Sequence, residues 1–226
     1  KKETKHIELF VPYLPYARAD RENKIGEAVS AEILCKLLKS CGVKKLITYD
    51  CHFLDRSGDF KKWGLNIENR SAGEQLFAHA KKYFAKNSKE KFVVVSPDER
   101  ASYFTEHAQG HAKHSLKKVR HESKATNEKT GIHADVHTME GEVDVRGKNV
   151  CMLDDIISTG GTMIRAIEHL KSHGAKKIII GATHGIFAGE NIAEKILRSS
   201  CEKIFITNSI ENNNPKVEIL HLNGFS

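Results

Sequence analysis

The sequence lacks the features that mark membrane, secreted and disulfide-linked proteins. It contains no apolar run near the roughly 18 to 20 residues that a membrane helix needs. The first residues, Lys1 to His6, are not followed by an apolar signal core, so we expect a cytoplasmic protein. The five cysteines form no Cys-x-x-Cys pair and are odd in number, which predicts reduced, buried thiols.

Aromatic residues are missing from the most basic part of the chain. The formal charge is +7, and residues 111–131 alone hold six Lys or Arg against two acids, with no Phe, Trp or Tyr among them. Proteins that bind single-stranded nucleic acid combine basic grooves with aromatic stacking platforms, so nucleic acid is not the expected partner. A small polyphosphate ligand fits one basic segment better, and a solvated loop without a ligand is the alternative.

What the sequence does contain is a repeated alternation of apolar strands and amphipathic helices. Strands are expected at 7–11, 45–49, 92–95, 149–153, 177–183, 203–207 and 217–220. Helices are expected at 27–41, at 162–173 and at 191–197, and a further helix is expected to follow a Ser71/Glu74 capping box. A polar stretch, 55–63, is interpreted as a connection between domains. The alternation predicts an α/β fold with parallel sheets covered by helices on both faces. Ligands of such folds bind beyond the carboxyl ends of the strands.

Residues 150–162 form the most informative stretch. A buried strand leads into the adjacent carboxylates Asp154 and Asp155, then into a turn rich in hydroxyls and glycine, and then into a helix. Free amides at a helix start, together with the helix dipole, favour a phosphate. Two neighbouring carboxylates can accept hydrogen bonds from a pair of sugar hydroxyls. The stretch therefore predicts a sugar-phosphate site, and the alternative is a strand–turn–helix whose acids only cap the helix.

Residues 153–162 resemble the phosphoribosyl-binding loop shared by phosphoribosyltransferases and ribose-phosphate pyrophosphokinases. The resemblance implies that ribose 5-phosphate is bound by Asp154, Asp155, Ser158, Thr159, Gly160, Gly161 and Thr162. This loop alone does not separate the two families.

Four further segments are similar to the pyrophosphokinases, also called phosphoribosyl pyrophosphate synthetases. They are residues 12–21, with Ser30-Ala31 following, then 50–52, 96–98 and 182–185, and transferases carry no counterpart of the first two. The resemblance implies an enzyme that transfers the diphosphoryl group of ATP to O1 of ribose 5-phosphate, giving phosphoribosyl pyrophosphate and AMP. A phosphoribosyltransferase and a non-catalytic regulatory subunit of the synthetase are the alternatives.

The resemblance also implies two similar phosphoribosyltransferase-like halves with the active site between them, and a homo-oligomer. The first, incomplete half is expected to comprise residues 1–66 completed by 208–226, and the second to comprise 67–207. The family's adenine-binding segment has no match here, so we expect a chain trimmed at its amino end. Ala19 stands where the family has Gln, which removes a side-chain amide near ATP.

The basic segment is expected to carry the catalytic cations. Lys118 and Arg120 are similar to the Lys-x-Arg of the family's mobile catalytic loop, and the resemblance implies that they stabilise the transferring diphosphoryl group. Lys117 is the register alternative to Lys118, and solvated loop charge is the alternative role.

The remaining expected ligands concern ATP and Mg²⁺. The resemblance implies that Arg18, Asp20 and His52 contact ATP and that His52 and Asp98 hold Mg²⁺ with the triphosphate. Because Mg²⁺ prefers oxygen ligands, His52 is better suited to a phosphate or a metal-bound water. The alternatives are a surface ion pair for Arg18, a structural histidine at position 52 and a helix cap at Asp98.

A zinc site is not expected from the histidines. His107, His111 and His114 lie four and three residues apart, but Gly110 is predicted to end the helix between them, so they need not share one face.

Overall fold

The computed structural model describes residues 6–22, 24–87, 92–98, 100–107, 113–121, 136–140 and 143–222. The strands in these residues are β1 Ile7–Phe10, β2 Val43–Tyr49, β3 Gly58–Lys62, β4 Leu65–Arg70, β5 Phe92–Ser96, β6 Lys113–Ser115, β7 Lys117–His121, β8 Val136–Glu140, β9 Asn149–Ile157, β10 Ile178–Gly185, β11 Lys203–Thr207 and β12 Val217–Leu220. The α-helices are α1 Ser30–Ser40, α2 Gly73–Asn87, α3 Gly161–Ser172 and α4 Ile192–Arg198, and a 3₁₀-helix spans Arg100–His107. None of the helices in the described residues is long and apolar enough to cross a bilayer.

The first sheet has four strands in the order β1-β2-β4-β3. Strands β1, β2 and β4 are parallel, whereas β3 pairs antiparallel with β4. A two-residue turn joins β3 to β4, and its residues Trp63 and Gly64 have φ of +46° and +78°, as a tight hairpin turn of type I′ requires. The interpretation of 55–63 as a connection between domains was therefore wrong, because 58–62 forms the outer strand of this hairpin.

The second sheet has six parallel strands in the order β12-β11-β10-β9-β5-β6. Every residue of the central strands β9 and β10 is buried, as expected for a parallel sheet covered on both sides. Helices α3 and α4 contribute Met163, Ile167 and Ile196 to the core on one face. Helix α2 and the 3₁₀-helix cover the other face with side chains such as Phe84 and Phe104. The predicted α/β architecture with parallel sheets is confirmed.

The strand pairing bears on the expected division into 1–66 with 208–226 and 67–207, which itself stays a prediction. Strand β12, Val217–Leu220, was expected with the first half, yet it pairs with β11 at the edge of the six-stranded sheet. Strand β4, Leu65–Arg70, crosses the expected boundary and belongs to the first sheet. The pairing of these strands follows their apolar residues, since Val217 and Ile67 each enter the core of the sheet that they join.

The cysteines and the histidines of the zinc hypothesis were the subject of two further expectations. The cysteines are free thiols, and four of them are buried, but Cys41 is exposed at the end of α1, which corrects the prediction that all are buried. Among the histidines of the zinc hypothesis, His111 lies outside the described residues. The described residues contain no group of three or more His, Cys, Asp or Glu side chains arranged around a metal position.

Candidate functional site

The predicted sugar-phosphate loop connects the carboxyl end of β9 to the start of α3. Gly160, the residue before the helix, has φ +76°, a left-handed conformation that glycine adopts without a Cβ penalty. A Cβ at this position would lie 2.9 Å from Cγ2 of Ile192, so the loop packs directly on α4. No side chain among the described residues caps α3, and its first amides are therefore suited to an anionic ligand.

One pocket brings most of the predicted site residues together. Its lining combines residues of the β9–α3 connection with residues that follow other strands: Arg18, His52, Asp98, Asp154, Asp155, Ile156, Ile157, Ser158, Thr159, Gly160, Thr162 and Met163. Gly161 is the first residue of α3, between Gly160 and Thr162. The site thus lies at the carboxyl ends of β2, β5 and β9, where ligands of parallel α/β sheets bind.

The two adjacent acids differ in their surroundings. Asp154 and Asp155 are only 6% and 7% exposed, and both line the pocket as the last part of β9 crosses it. Burial, followed by the negative charge of Asp155, raises the pKa of Asp154 well above its ordinary value. Burial acts in the same direction on Asp155, but the hydrogen bond and charge of His52 bring the pKa of Asp155 below its ordinary value. The pair therefore favours one protonated and one ionised carboxyl group.

His52 connects the two sheets at this pocket. Its Nδ1 lies 2.6 Å from Oδ2 of Asp155, although the two residues are 103 positions apart in the chain. His52 follows β2 of the first sheet and Asp155 belongs to β9 of the second. This short contact fixes the histidine next to the carboxylate pair.

The other expected ATP and metal residues lie around the same opening. Arg18 is exposed and lines the pocket. Asp20 accepts hydrogen bonds from Arg21 at 2.7 and 3.1 Å, and it lines a neighbouring pocket that shares His52 with the first. Asp98 lines the first pocket. It also accepts a hydrogen bond of 3.0 Å from the amide of Ala101 and so caps the 3₁₀-helix, as its alternative role predicted.

The expected catalytic cations lie on a separate two-stranded ribbon. Strand β7 pairs antiparallel with β8, which sets Lys118 opposite Met139 and Arg120 opposite His137. Lys117 begins the same strand. No strand was expected here from the sequence, and the roles of Lys118 and Arg120 stay predictions.

Two buried polar residues of this region were not assigned a role from the sequence. Asp50 is fully buried at the end of β2, and His184 is 3% exposed near the end of β10. Nε2 of His184 donates to the carbonyl of Tyr49 at 3.0 Å, and burial lowers the pKa of His184 to about 4, so this histidine is neutral. Both residues lie in the segments 50–52 and 182–185 that resemble the pyrophosphokinases, but the resemblance was not used to give either residue a role.

Comparisons with known proteins point to one group of enzymes. A family model described as phosphoribosyl transferase domain matches residues 66–217. The ribose-phosphate pyrophosphokinase of Methanopyrus kandleri is 32% identical over 210 residues, which cover 92% of this chain and 67% of that protein. Its counterpart from Thermococcus kodakarensis is 35% identical over 90% of this chain and 66% of that protein.

A solved structure supports the same relationship. The crystal structure of phosphoribosylpyrophosphate synthetase from Mycobacterium smegmatis superposes with a TM-score of 0.71 at 26% identity, covering 96% of this chain and 67% of that chain. The chain spans between 60% and 70% of the length of the curated relatives that it matches.

Proposed function

Because the chain belongs to the ribose-phosphate pyrophosphokinase family, we propose that it transfers the diphosphoryl group of ATP to O1 of ribose 5-phosphate. The products are phosphoribosyl pyrophosphate and AMP. The observation that carries this proposal is the single pocket in which a phosphate-type loop, two carboxyl groups and the residues Arg18, His52 and Asp98 meet.

The β9–α3 connection binds the ribose 5-phosphate. The 5-phosphate accepts hydrogen bonds from the first amides of α3 and from the hydroxyls of Ser158, Thr159 and Thr162. Two adjacent ribose hydroxyls bind Asp154 and Asp155. The pKa of Asp154 is raised and that of Asp155 is lowered. A protonated Asp154 can therefore donate a hydrogen bond to one ribose hydroxyl, while the ionised Asp155 accepts a hydrogen bond from the other.

The transfer step joins the sugar to the β-phosphorus of ATP. The O1 hydroxyl oxygen forms a bond to this phosphorus and its proton is released to solvent. The bond from the phosphorus to the oxygen that bridges to the α-phosphate breaks, and AMP leaves with the bridging oxygen. Negative charge spreads over the phosphoryl oxygens, so catalysis depends on positioning and on cations. Arg18, with Asp20 and His52 nearby, orients the triphosphate, and Lys118 and Arg120 stabilise the transferring group.

Mg²⁺ fits the donor set of this pocket. Mg²⁺ is commonly held by one or two carboxylates, several waters and the phosphates of a substrate. Asp98 supplies a carboxylate on the pocket wall, and His52 faces the same space, suited to a metal-bound water or phosphate. When bound, the ion would neutralise charge on the triphosphate, and the protein would hold it through Asp98 and His52.

The proposal extends to assembly and location. We propose that the protein is a cytoplasmic homo-oligomer in which the nucleotide site is completed by more than one subunit. Light scattering of the purified protein tests this assembly, and a monomer with full activity would contradict it.

Phosphorus NMR tests the reaction directly. The purified full-length protein, incubated with ATP, ribose 5-phosphate and Mg²⁺, should produce AMP and a new diphosphate signal attached to the sugar. Asp155→Asn should weaken this reaction, whereas Asp144→Asn, the same change at an exposed position, should not.

Two outcomes would contradict the proposal. If ATP stays intact while phosphoribosyl pyrophosphate and a nucleobase react, the protein is a phosphoribosyltransferase. If ribose 5-phosphate binds without any reaction, the chain is a non-catalytic regulatory subunit.

A further inference from the structure

Asp50 combines a strained backbone with a fully buried carboxyl group. It follows β2, its side chain has no exposure to solvent, and its φ is +36°. Residues other than glycine rarely adopt positive φ, and such conformations persist only where the surroundings hold them in place. The contacts of Asp50 therefore show which interactions stabilise this strained turn and indicate its role.

Three elements donate hydrogen bonds to the Asp50 carboxyl group. The hydroxyl of Tyr103, in the 3₁₀-helix, donates to Oδ1 at 3.0 Å, and that of Thr183, in β10, donates to Oδ2 at 2.5 Å. The amide of Ala72, just before α2, donates to Oδ2 at 2.8 Å. Burial raises the pKa of Asp50, and these hydrogen bonds act against that rise. In all three contacts the carboxyl oxygens of Asp50 are the acceptors.

The neighbours of Asp50 in the chain are fixed as well. The carbonyl of Tyr49 accepts from His184, and the amide of Cys51 donates to Oδ1 of Asn69 at 2.9 Å. His52, the next residue, makes the 2.6 Å contact with Asp155. The turn that Asp50 forms therefore delivers His52 to the pocket.

The hydrogen bond from Tyr103 to Asp50 also links Asp50 to the segment of Asp98, a second residue that lines the pocket. Tyr103 belongs to the 3₁₀-helix that starts next to Asp98, and Asp98 accepts from the amide of Ala101 in that helix. One carboxylate thus fixes both segments that present His52 and Asp98. The described residues that line the pocket do not include Asp50 itself.

We propose that Asp50 is a positioning residue, which sets His52 and Asp98 at the separation that diphosphoryl transfer needs without touching either substrate. This inference rests on the proposed function, because His52 and Asp98 have roles only in that reaction. Asp50 belongs to neither the phosphate loop nor the acid pair. Its loss should therefore affect turnover more than binding of ribose 5-phosphate.

Asp50→Asn tests the proposal with almost no change of shape. The variant should lower kcat for AMP formation about 10- to 100-fold, the range found when residues that orient catalytic ligands are replaced, and should leave the KM for ribose 5-phosphate within about twofold. The matched control, Asp144→Asn, should keep the wild-type kcat. A parallel loss in kcat and in ribose 5-phosphate affinity would indicate general structural damage and overturn the proposal.

A double-mutant cycle separates positioning from independent effects. If Asp50 acts through His52, adding Asp50→Asn to His52→Ala should lower kcat much less than it does in the wild type. If the two substitutions lower kcat by independent factors that multiply in the double variant, the proposal is overturned. Tyr103→Phe removes a single donor and should give a smaller loss of the same kind, so it tests the idea even if Asp50→Asn does not fold.

A spectroscopic measurement keeps this inference distinct from the proposed function. In nitrogen-15 spectra of histidine-labelled protein, Asp50→Asn should shift the ring signals of His52 and leave those of His169, in the last turn of α3, unchanged. If the wild type makes no AMP, the proposed function fails, while a shift of His52 still supports the positioning role. An unchanged His52 signal overturns that role whatever the activity.

Discussion

Replacing Gly160 with alanine tests how the phosphate loop gets its shape. A Cβ at position 160 meets two separate obstacles, a left-handed backbone with φ +76° and Cγ2 of Ile192 only 2.9 Å away. The left-handed conformation costs an alanine about 1–2 kcal/mol, and overpacking of a core typically costs about 1–3 kcal/mol. Gly160→Ala should therefore lower the free energy of unfolding by roughly 2–5 kcal/mol.

Gly147 provides a matched control for the backbone part of this cost. Its φ is +69°, and a Cβ there would have no neighbour within 4 Å. Gly147→Ala should lose only the backbone contribution of about 1–2 kcal/mol, so the difference between the two variants measures the contact with Ile192. Urea denaturation with a constant m-value gives both numbers. Equal losses in the two variants would refute the close-packing explanation.

Gly160→Ala also tests whether the shape of the loop determines the binding of ribose 5-phosphate. Relaxation of the clash moves the backbone that carries Ser158 to Thr162, so Gly160→Ala should weaken ribose 5-phosphate binding about tenfold or more in calorimetry, equivalent to about 1.4 kcal/mol. Gly147→Ala should bind normally, because Gly147 is not among the described residues that line the pocket. Normal binding by Gly160→Ala would show that the loop amides do not hold the phosphate.

Three further predictions follow from the site. Lys118→Ala should lower kcat about 100- to 1,000-fold with little change in ribose 5-phosphate binding, and unchanged turnover in a quenched AMP assay would exclude Lys118 as the catalytic cation. Because the pKa of His184 falls from 6.5 to about 4, its contribution to stability is complete above about pH 6.5 and is lost as the pH falls toward 4. His184→Gln should remove roughly 3 kcal/mol of that pH dependence in denaturation curves, and equal slopes would contradict a buried neutral histidine. Chelation by EDTA should stop AMP formation and added Mg²⁺ should restore it, whereas activity in EDTA would contradict the metal role of Asp98 and His52.

Much of the candidate site could be predicted because parallel strands end at one edge of their sheet. The apolar runs before Asp154, Asp98 and His52 predicted three strands, and the family resemblance selected these residues at the strand ends. Asp154 and Asp98 follow strands of one sheet, whereas His52 follows a strand of the other sheet. All three line one pocket. The sequence therefore indicated the members of the site, although not the distances between them.

The remainder depends on contacts that local patterns do not encode. The hairpin strand Gly58–Lys62 was missed because three of its five residues are exposed and its alternation is weak. The opposite pKa shifts of Asp154 and Asp155 depend on His52, which lies 103 positions from Asp155. The donors around Asp50 likewise come from segments far along the chain, so only tertiary structure reveals why this buried acid is tolerated.

The long sequence separation of these contacts has a consequence for biosynthesis. Asp50 and Thr183 are 133 positions apart, and the first sheet needs only residues up to Arg70 for its pairing. During synthesis from the amino end, the strands of the first sheet can pair before Thr183 has been made, so the hydrogen bond from Thr183 to Asp50 cannot yet form. Contacts between distant residues also form slowly because long loops must close first. We therefore expect the nascent chain to acquire its catalytic geometry last, well after its amino-terminal strands have assembled.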